Sequence, residues 1–133
     1  MTAVQPPDWP RPKGYSNAVL AEGRQVYLAG MVGWNPVTER FETDDFAGQF
    51  RQTLANVVAA LRAAGAGPEH LVRTTWFITD KRAYLAALKE VGAAWRAEIG
   101  RYYPAMSVVE VKSLIEDRAK VEIEATAVIP DPR

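Results

Sequence analysis

Apolar residues recur along this chain with two different periods, and the switches between them outline the fold. Phe46, Phe50, Leu54, Val57, Val58 and Leu61 repeat at three- and four-residue steps, which predicts a helix with one apolar stripe. Thr43 is its expected N-cap, Asp44 and Asp45 suit the positive end of the helix dipole, and Gly65 and Gly67 end it. A second stripe, Tyr84, Leu88, Val91, Trp95 and Ile99, predicts one further helix running from a cap at Asp80 to a stop at Gly100. Between the two, Leu71 to Ile78 is dense in β-formers and reads as a strand.

Period two returns near the end of the chain. Met106 to Val111 reads as a strand, and so does Lys120 to Val128, in which Val121, Ile123, Ala125 and Ala127 alternate with Glu122, Glu124, Thr126 and Val128. Upstream, Ser16–Leu20 and Gln25–Leu28 are short β-like runs, and Glu22-Gly23 between them predicts a hairpin turn. Gly30 and Gly33 interrupt the apolar run around Met31 and Val32, which suggests a bulge or a close approach to the backbone. The order ββ-α-β-α-ββ describes an α+β sandwich, a mixed sheet with two helices packed on one face. Prolines 6, 7, 10 and 12 make residues 1–13 an extended arm without regular structure, residues 14–129 form a single domain, and residues 130–133 are a tail.

Two helices cover only one face of such a sheet. The other face, to which the pattern assigns Trp76, Val108 and Glu122, is too apolar to stay bare, and self-association is the economical cover.

Composition then removes whole classes of function. Sixteen basic and sixteen acidic residues give a net charge of zero, where a general nucleic-acid binder carries a basic excess. With no cysteine there is no disulfide, thiolate metal site or thiol nucleophile. His70 is the only histidine, in a Gly-Pro-Glu-His loop with no further ligands at metal-binding spacing. The glycines fit no nucleotide-binding fingerprint, and no serine has a nucleophile elbow. The polar, proline-rich start is unlike a signal peptide and no apolar run reaches membrane-spanning length, so the expected compartment is the cytoplasm.

The candidate chemistry is sparse. Glu122 and Glu124 lie on the sheet face opposite the smaller apolar residues; a glutamate desolvated in a subunit interface can activate a water. The competing reading is a pair of solvated carboxylates beside Lys112 and Lys120. Tyr15 offers a hydroxyl on an apolar ring for the mouth of a pocket, or simply packs at a strand start. Trp34, in a polar Gly-Trp-Asn-Pro loop, is a candidate pocket wall.

These segments together resemble the RidA/YjgF family of small trimeric proteins from Gly14 to Val128. Gly14-Tyr15-Ser16-Asn17-Ala18-Val19 is similar to its opening motif, Leu28-Ala29-Gly30-Met31-Val32 to its Ser-Gly-Gln-Ile segment, and Gln49 with Leu54-Ala55-Asn56-Val57 to its first helix. Val72 to Asp80 resembles its central strand, and Tyr103 to Val111 with Val121 to Val128 its closing signature. The resemblance implies a chorismate-mutase-like fold and a homotrimer with a central barrel and three intersubunit clefts. It implies small-molecule ligands and hydrolysis of reactive enamines and imines to keto acids and ammonia, without cofactor or metal. Carried over, Glu122 would order the attacking water. Tyr15, the Gly30–Met31 backbone, Leu88, Met106 and Val108 would line the cleft with Trp34.

The departures from the family pattern are informative. The arginine that follows Pro-Ala in deaminating members, where it grips a substrate carboxylate, is Met106 here; Ala29 replaces a serine, and Leu88 a polar residue often asparagine. Methionine makes no bidentate charge-assisted pair, so the expected ligand is larger or less acidic than a simple 2-imino acid: an aromatic or alicyclic imine or enamine. Lys13, Arg51 and Arg101 are candidate substitute cations. A non-catalytic ligand-binding or sensor protein of the same fold is the alternative. The ribonuclease label also attached to the family is weaker, given the neutral charge and single histidine.

Overall fold

The computed structural model describes residues 1–132; Arg133, the last residue of the expected tail, lies outside the described residues. Strands β1 (Thr2–Val4), β2 (Ala18–Leu20) and β3 (Arg24–Val32) precede helix α1 (Phe46–Ala63). A 3₁₀ turn, Pro68–His70, leads into β4 (Leu71–Ile78), which is followed by α2 (Lys81–Ala86), α3 (Leu88–Glu98), β5 (Ala105–Glu110) and β6 (Val121–Ile129). The main sheet has the order β3-β6-β4-β5, antiparallel except for the parallel pair β4–β5, with the helices on one face.

The core lies between that face and α1 and α3. Phe50, Leu54, Val57 and Leu61 of α1 are sealed against Leu71, Trp76 and Ile78 of β4 and Val121, Ile123, Ala125 and Ala127 of β6. These are the residues that the two periods single out, and the alternation along β6 leaves Glu122, Glu124, Thr126 and Val128 on the uncovered face.

Several expectations change. The hairpin at Glu22-Gly23 is not formed: β2 pairs antiparallel with β1, Thr2 opposite Leu20, so part of the proline-rich arm is regular after all. Gly23 instead sits at φ 144°, where a Cβ would overlap the Ile129 carbonyl. The N-cap of α1 is Asp45, whose carboxylate accepts from the Gly48 amide at 2.9 Å, while Thr43 Oγ1 accepts from the Asp45 amide one step earlier. The second helix is two, broken at Ala87. Its start is held by two carboxylates: Asp80 accepts from the Arg82 and Ala83 amides, and Glu110 of β5 accepts from the Lys81 amide at 2.7 Å.

Trp76 and Val108 also move to the other side of the sheet. The parallel register sets Trp76 opposite Val108 and Thr74 opposite Met106, and all four face the helices. Trp76 is 4% exposed, packed between Phe50 and Trp95 at centroid distances of 4.8 and 5.7 Å. The uncovered face is nevertheless mixed, as expected: Tyr27, Thr75, Phe77 and Val109 accompany Arg73, Glu122 and Glu124.

Candidate functional site

Four of the residues singled out in the sequence meet in one place. Tyr15, Leu88, Met106 and Val108 line a cavity of about 540 Å³ between α2–α3 and the edge strand β5, a size in the ordinary range for small-molecule sites. Ser16 joins its separated parts. Its hydroxyl donates to the Tyr103 carbonyl and its amide to the Pro104 carbonyl at 3.1 Å, so the chain entering at Lys13-Gly14-Tyr15 is fastened beside the start of β5. Tyr15 thereby reaches Met106 across most of the sequence.

The floor of the cavity is aromatic. Trp76 and Trp95 belong to the lining though almost fully buried, and both indole N–H groups are already engaged: Trp76 Nε1 donates to Thr74 Oγ1 at 3.0 Å and Trp95 Nε1 to the Tyr102 carbonyl at 3.1 Å. Tyr84 meets Trp76 edge-on, and burial pushes its phenol above the ordinary tyrosine range. Among the described residues no carboxylate lines the cavity.

Glu122 and Gly30 lie elsewhere. Glu122 stands on the uncovered face, opposite Phe77 on one side and Val32 on the other. The expected bulge is present, because the β3–β6 register shifts between Leu28 and Met31. Gly30 is part of it, and a Cβ there would overlap the Glu122 carboxylate. A glycine is therefore required for the carboxylate to rest where it does. Among the described residues Glu122 and Glu124 form no ion pair with Lys112 or Lys120. Gly30→Ala is expected to displace the Glu122 side chain while leaving the β3–β6 pairing in place. An amide-resolved NMR spectrum would show changes confined to β3, β6 and their neighbours.

The remaining candidates are accounted for separately. Met31 points its side chain into the core beside Ile123. Trp34 does not line the cavity of its own chain; it tilts against Phe41 at 5.9 Å, and its carbonyl accepts from Asn56 Nδ2 at 2.9 Å. His70 Nδ1 accepts from the Gly67 amide at 3.0 Å, a turn-closing contact that occupies one ring nitrogen. Of the candidate cations, Lys13 lines the cavity, Arg51 is paired with Glu98 at 3.3 Å, and Arg101 is not part of the lining. Arg96 lines it too, a residue for which the sequence pattern gave no signal beyond its place one turn after Gly92. Among the described residues no cluster of three or more His, Asp or Glu side chains is placed to hold a metal, and no helix is long and apolar enough to cross a membrane.

Helices packed on one face of a mixed sheet are the arrangement the resemblance implies. The family model described as Endoribonuclease L-PSP matches residues 9–129. The chain belongs to this family, that of RidA and YjgF. It is 38% identical over 106 residues to the 2-iminobutanoate/2-iminopropanoate deaminase of Escherichia coli K12, covering 80% of each chain. It is 33% identical over 136 residues to a RutC family protein of Synechocystis, covering 98% of each. Among solved structures, the Rid family protein YyfB of Yersinia pestis superposes with a TM-score of 0.83 at 32% identity, over 96% of this chain and 98% of that one. The family supports a role in small-metabolite chemistry of the imine-deaminase kind.

Proposed function

We propose that the protein is a homotrimer that hydrolyses the C=N bond of a small imine or tautomeric enamine in clefts between its subunits, on substrates other than simple 2-imino acids. The observation that carries this reading is the cavity that gathers Tyr15, Leu88, Met106 and Val108. The uncovered sheet face, with Tyr27 72% and Val109 41% exposed, is the surface that trimer formation would bury.

The site is divided within one chain. Glu122 and the Gly30 bulge occupy the sheet face away from the cavity, so the reading brings the Glu122 of one subunit to the cavity of its neighbour. There the carboxylate accepts a proton from a water whose oxygen adds to the imine carbon. The resulting carbinolamine takes a proton on nitrogen, the C–N bond breaks, and ammonia leaves with a carbonyl compound in its place. One water is consumed and no electrons are exchanged. The Tyr15 hydroxyl orients the ligand at the rim.

Met106 determines which substrates fit. Truncating a charge-assisted contact to a buried carboxylate costs about 2–5 kcal/mol, so small imino acids gripped by an arginine at this position elsewhere in the family are poor substrates here. The test is keto-product and ammonia release from imines generated in situ by an amino-acid oxidase, from alanine-derived to aromatic. Aromatic imines are expected to turn over faster than 2-iminopropanoate, and Met106→Arg to reverse the order. Faster turnover of 2-iminopropanoate by the native protein would contradict the reading.

Ligand binding without turnover is the second reading, favoured by the predominantly apolar walls around Met106. It predicts tight binding with no product from any imine in the panel.

A further inference from the structure

We propose that this cavity selects aromatic carboxylates, with the ring among Leu88, Met106 and Val108 and the carboxylate at the mouth between Arg96 and Lys13. The inference rests on the cavity being the ligand site, and deepens that reading by naming the group that replaces a cation at position 106.

Polarity runs in one direction through the cavity. Trp76 and Trp95 are 4% and 5% exposed and form its inner wall. Their indole donors are spent on Thr74 and Tyr102, so this end of the cavity offers a ligand nothing polar from either indole, and the apolar surface there comes from Leu88, Met106 and Val108. Lys13 and Arg96 are exposed at the rim. With no carboxylate in the lining among the described residues, their charge is unbalanced there. Tyrosine hydroxyls are the other side-chain donors available. A ligand matching this gradient has an apolar ring at one end and an anion at the other.

Arg96 is built into this position. It follows Gly92 by one turn of α3, which places both on the face that carries Leu88 and Trp95. The guanidinium folds back over Gly92, with Nη1 3.3 Å from the point a Cβ would occupy. A Cβ at position 92 would require the guanidinium to give by a few tenths of an ångström. Arg51 and Arg118 are committed to Glu98 and Asp44, at 3.3 and 2.7 Å, whereas Arg96 and Lys13 form no ion pair among the described residues. An unpaired guanidinium with its planar fork over a cavity is suited to a bidentate pair with a carboxylate. The anion is thus held from α3 instead of from β5, which leaves the inner volume beside Met106 free for a ring.

The experiment is calorimetric titration with two probes of equal shape, 3-phenylpropanoate and its neutral amide 3-phenylpropanamide. The acid is expected to bind the native protein about tenfold more tightly, with the gap narrowing at high salt because the cations are exposed. Arg96→Gln should bring the acid to the level of the amide and leave the amide unchanged. Gly92→Ala, which favours the helix, should weaken the acid alone while its melting temperature holds or rises. Equal affinity for acid and amide, an acid preference that survives Arg96→Gln, or no binding of either probe overturns the proposal. Neither probe carries a C=N bond. Acid-selective binding without imine hydrolysis would therefore keep this inference and remove the catalytic one, and aromatic imine turnover without acid preference would do the reverse.

Discussion

Gln49→Leu is expected to destabilise the fold by about 3–5 kcal/mol, read as a drop in urea midpoint with the slope unchanged. Gln49 is fully buried in α1. Its amide donates to the Thr43 carbonyl at 3.0 Å and the Arg118 carbonyl at 2.9 Å, and its Oε1 accepts from the Lys120 amide at 2.8 Å. Leucine fills nearly the same volume, so little of the loss comes from a cavity. It comes from partly buried backbone groups left without their partners. The contacts tie α1 to the residues just before Val121, so the variant should also loosen the end of β6 that carries Glu122. A loss below about 1 kcal/mol would mean that water replaces these bonds at little cost.

The second large effect is on chemistry. Glu122→Ala should lower imine turnover by about 10²–10⁴-fold, the usual worth of a positioned acid–base group, while stability changes little. Among the described residues the Glu122 carboxylate makes no ion pair, and it sits on a face that the core does not use. Affinity for a non-reacting ligand should stay within about twofold of native, since the cavity walls are untouched. Unchanged turnover would remove Glu122 from the mechanism and move attention to the tyrosine hydroxyls.

The contrast between what was legible and what was not follows from the kind of information each element carries. The strand Leu71–Ile78 and helix α1 are strongly periodic or dense in one class of residue, and their outlines follow from pattern. The face of Trp76 does not. Thr75-Trp76-Phe77 are all β-formers, so no polar–apolar contrast marks which of them points inward, and only the register with Val108 and Ile123 decides it. The break at Ala87 is similarly silent, because alanine neither stops a helix nor interrupts the stripe from Tyr84 to Trp95. Pairing of β1 with β2 is non-local and escaped the local turn signal at Glu22-Gly23, which pointed to a hairpin.

For the site, residues carried by family motifs were easier to find than those set by this chain's own packing. Tyr15 and Met106 lie in quoted motifs, and the cavity brings them together with Leu88 and Val108. The place of Arg96 depends on Gly92 leaving room one turn earlier, a contact that composition and spacing do not encode. The polar loop around Trp34 carries no pattern for its packing within the chain, where Asn56 of α1 donates to the Trp34 carbonyl and Phe41 lies against the ring.

The central claim is that each working site takes its cavity from one subunit and its Glu122 from another. Co-refolding Glu122→Ala with Met106→Trp, which fills the cavity, tests it directly. Each parent alone should be a folded trimer with negligible turnover of an aromatic imine. In an equal mixture each cleft draws its two halves from independent chains, so about one quarter of the sites should be intact and activity should return to about that share of native. A mixture as inactive as its parents, with mixed trimers present, would contradict a shared site.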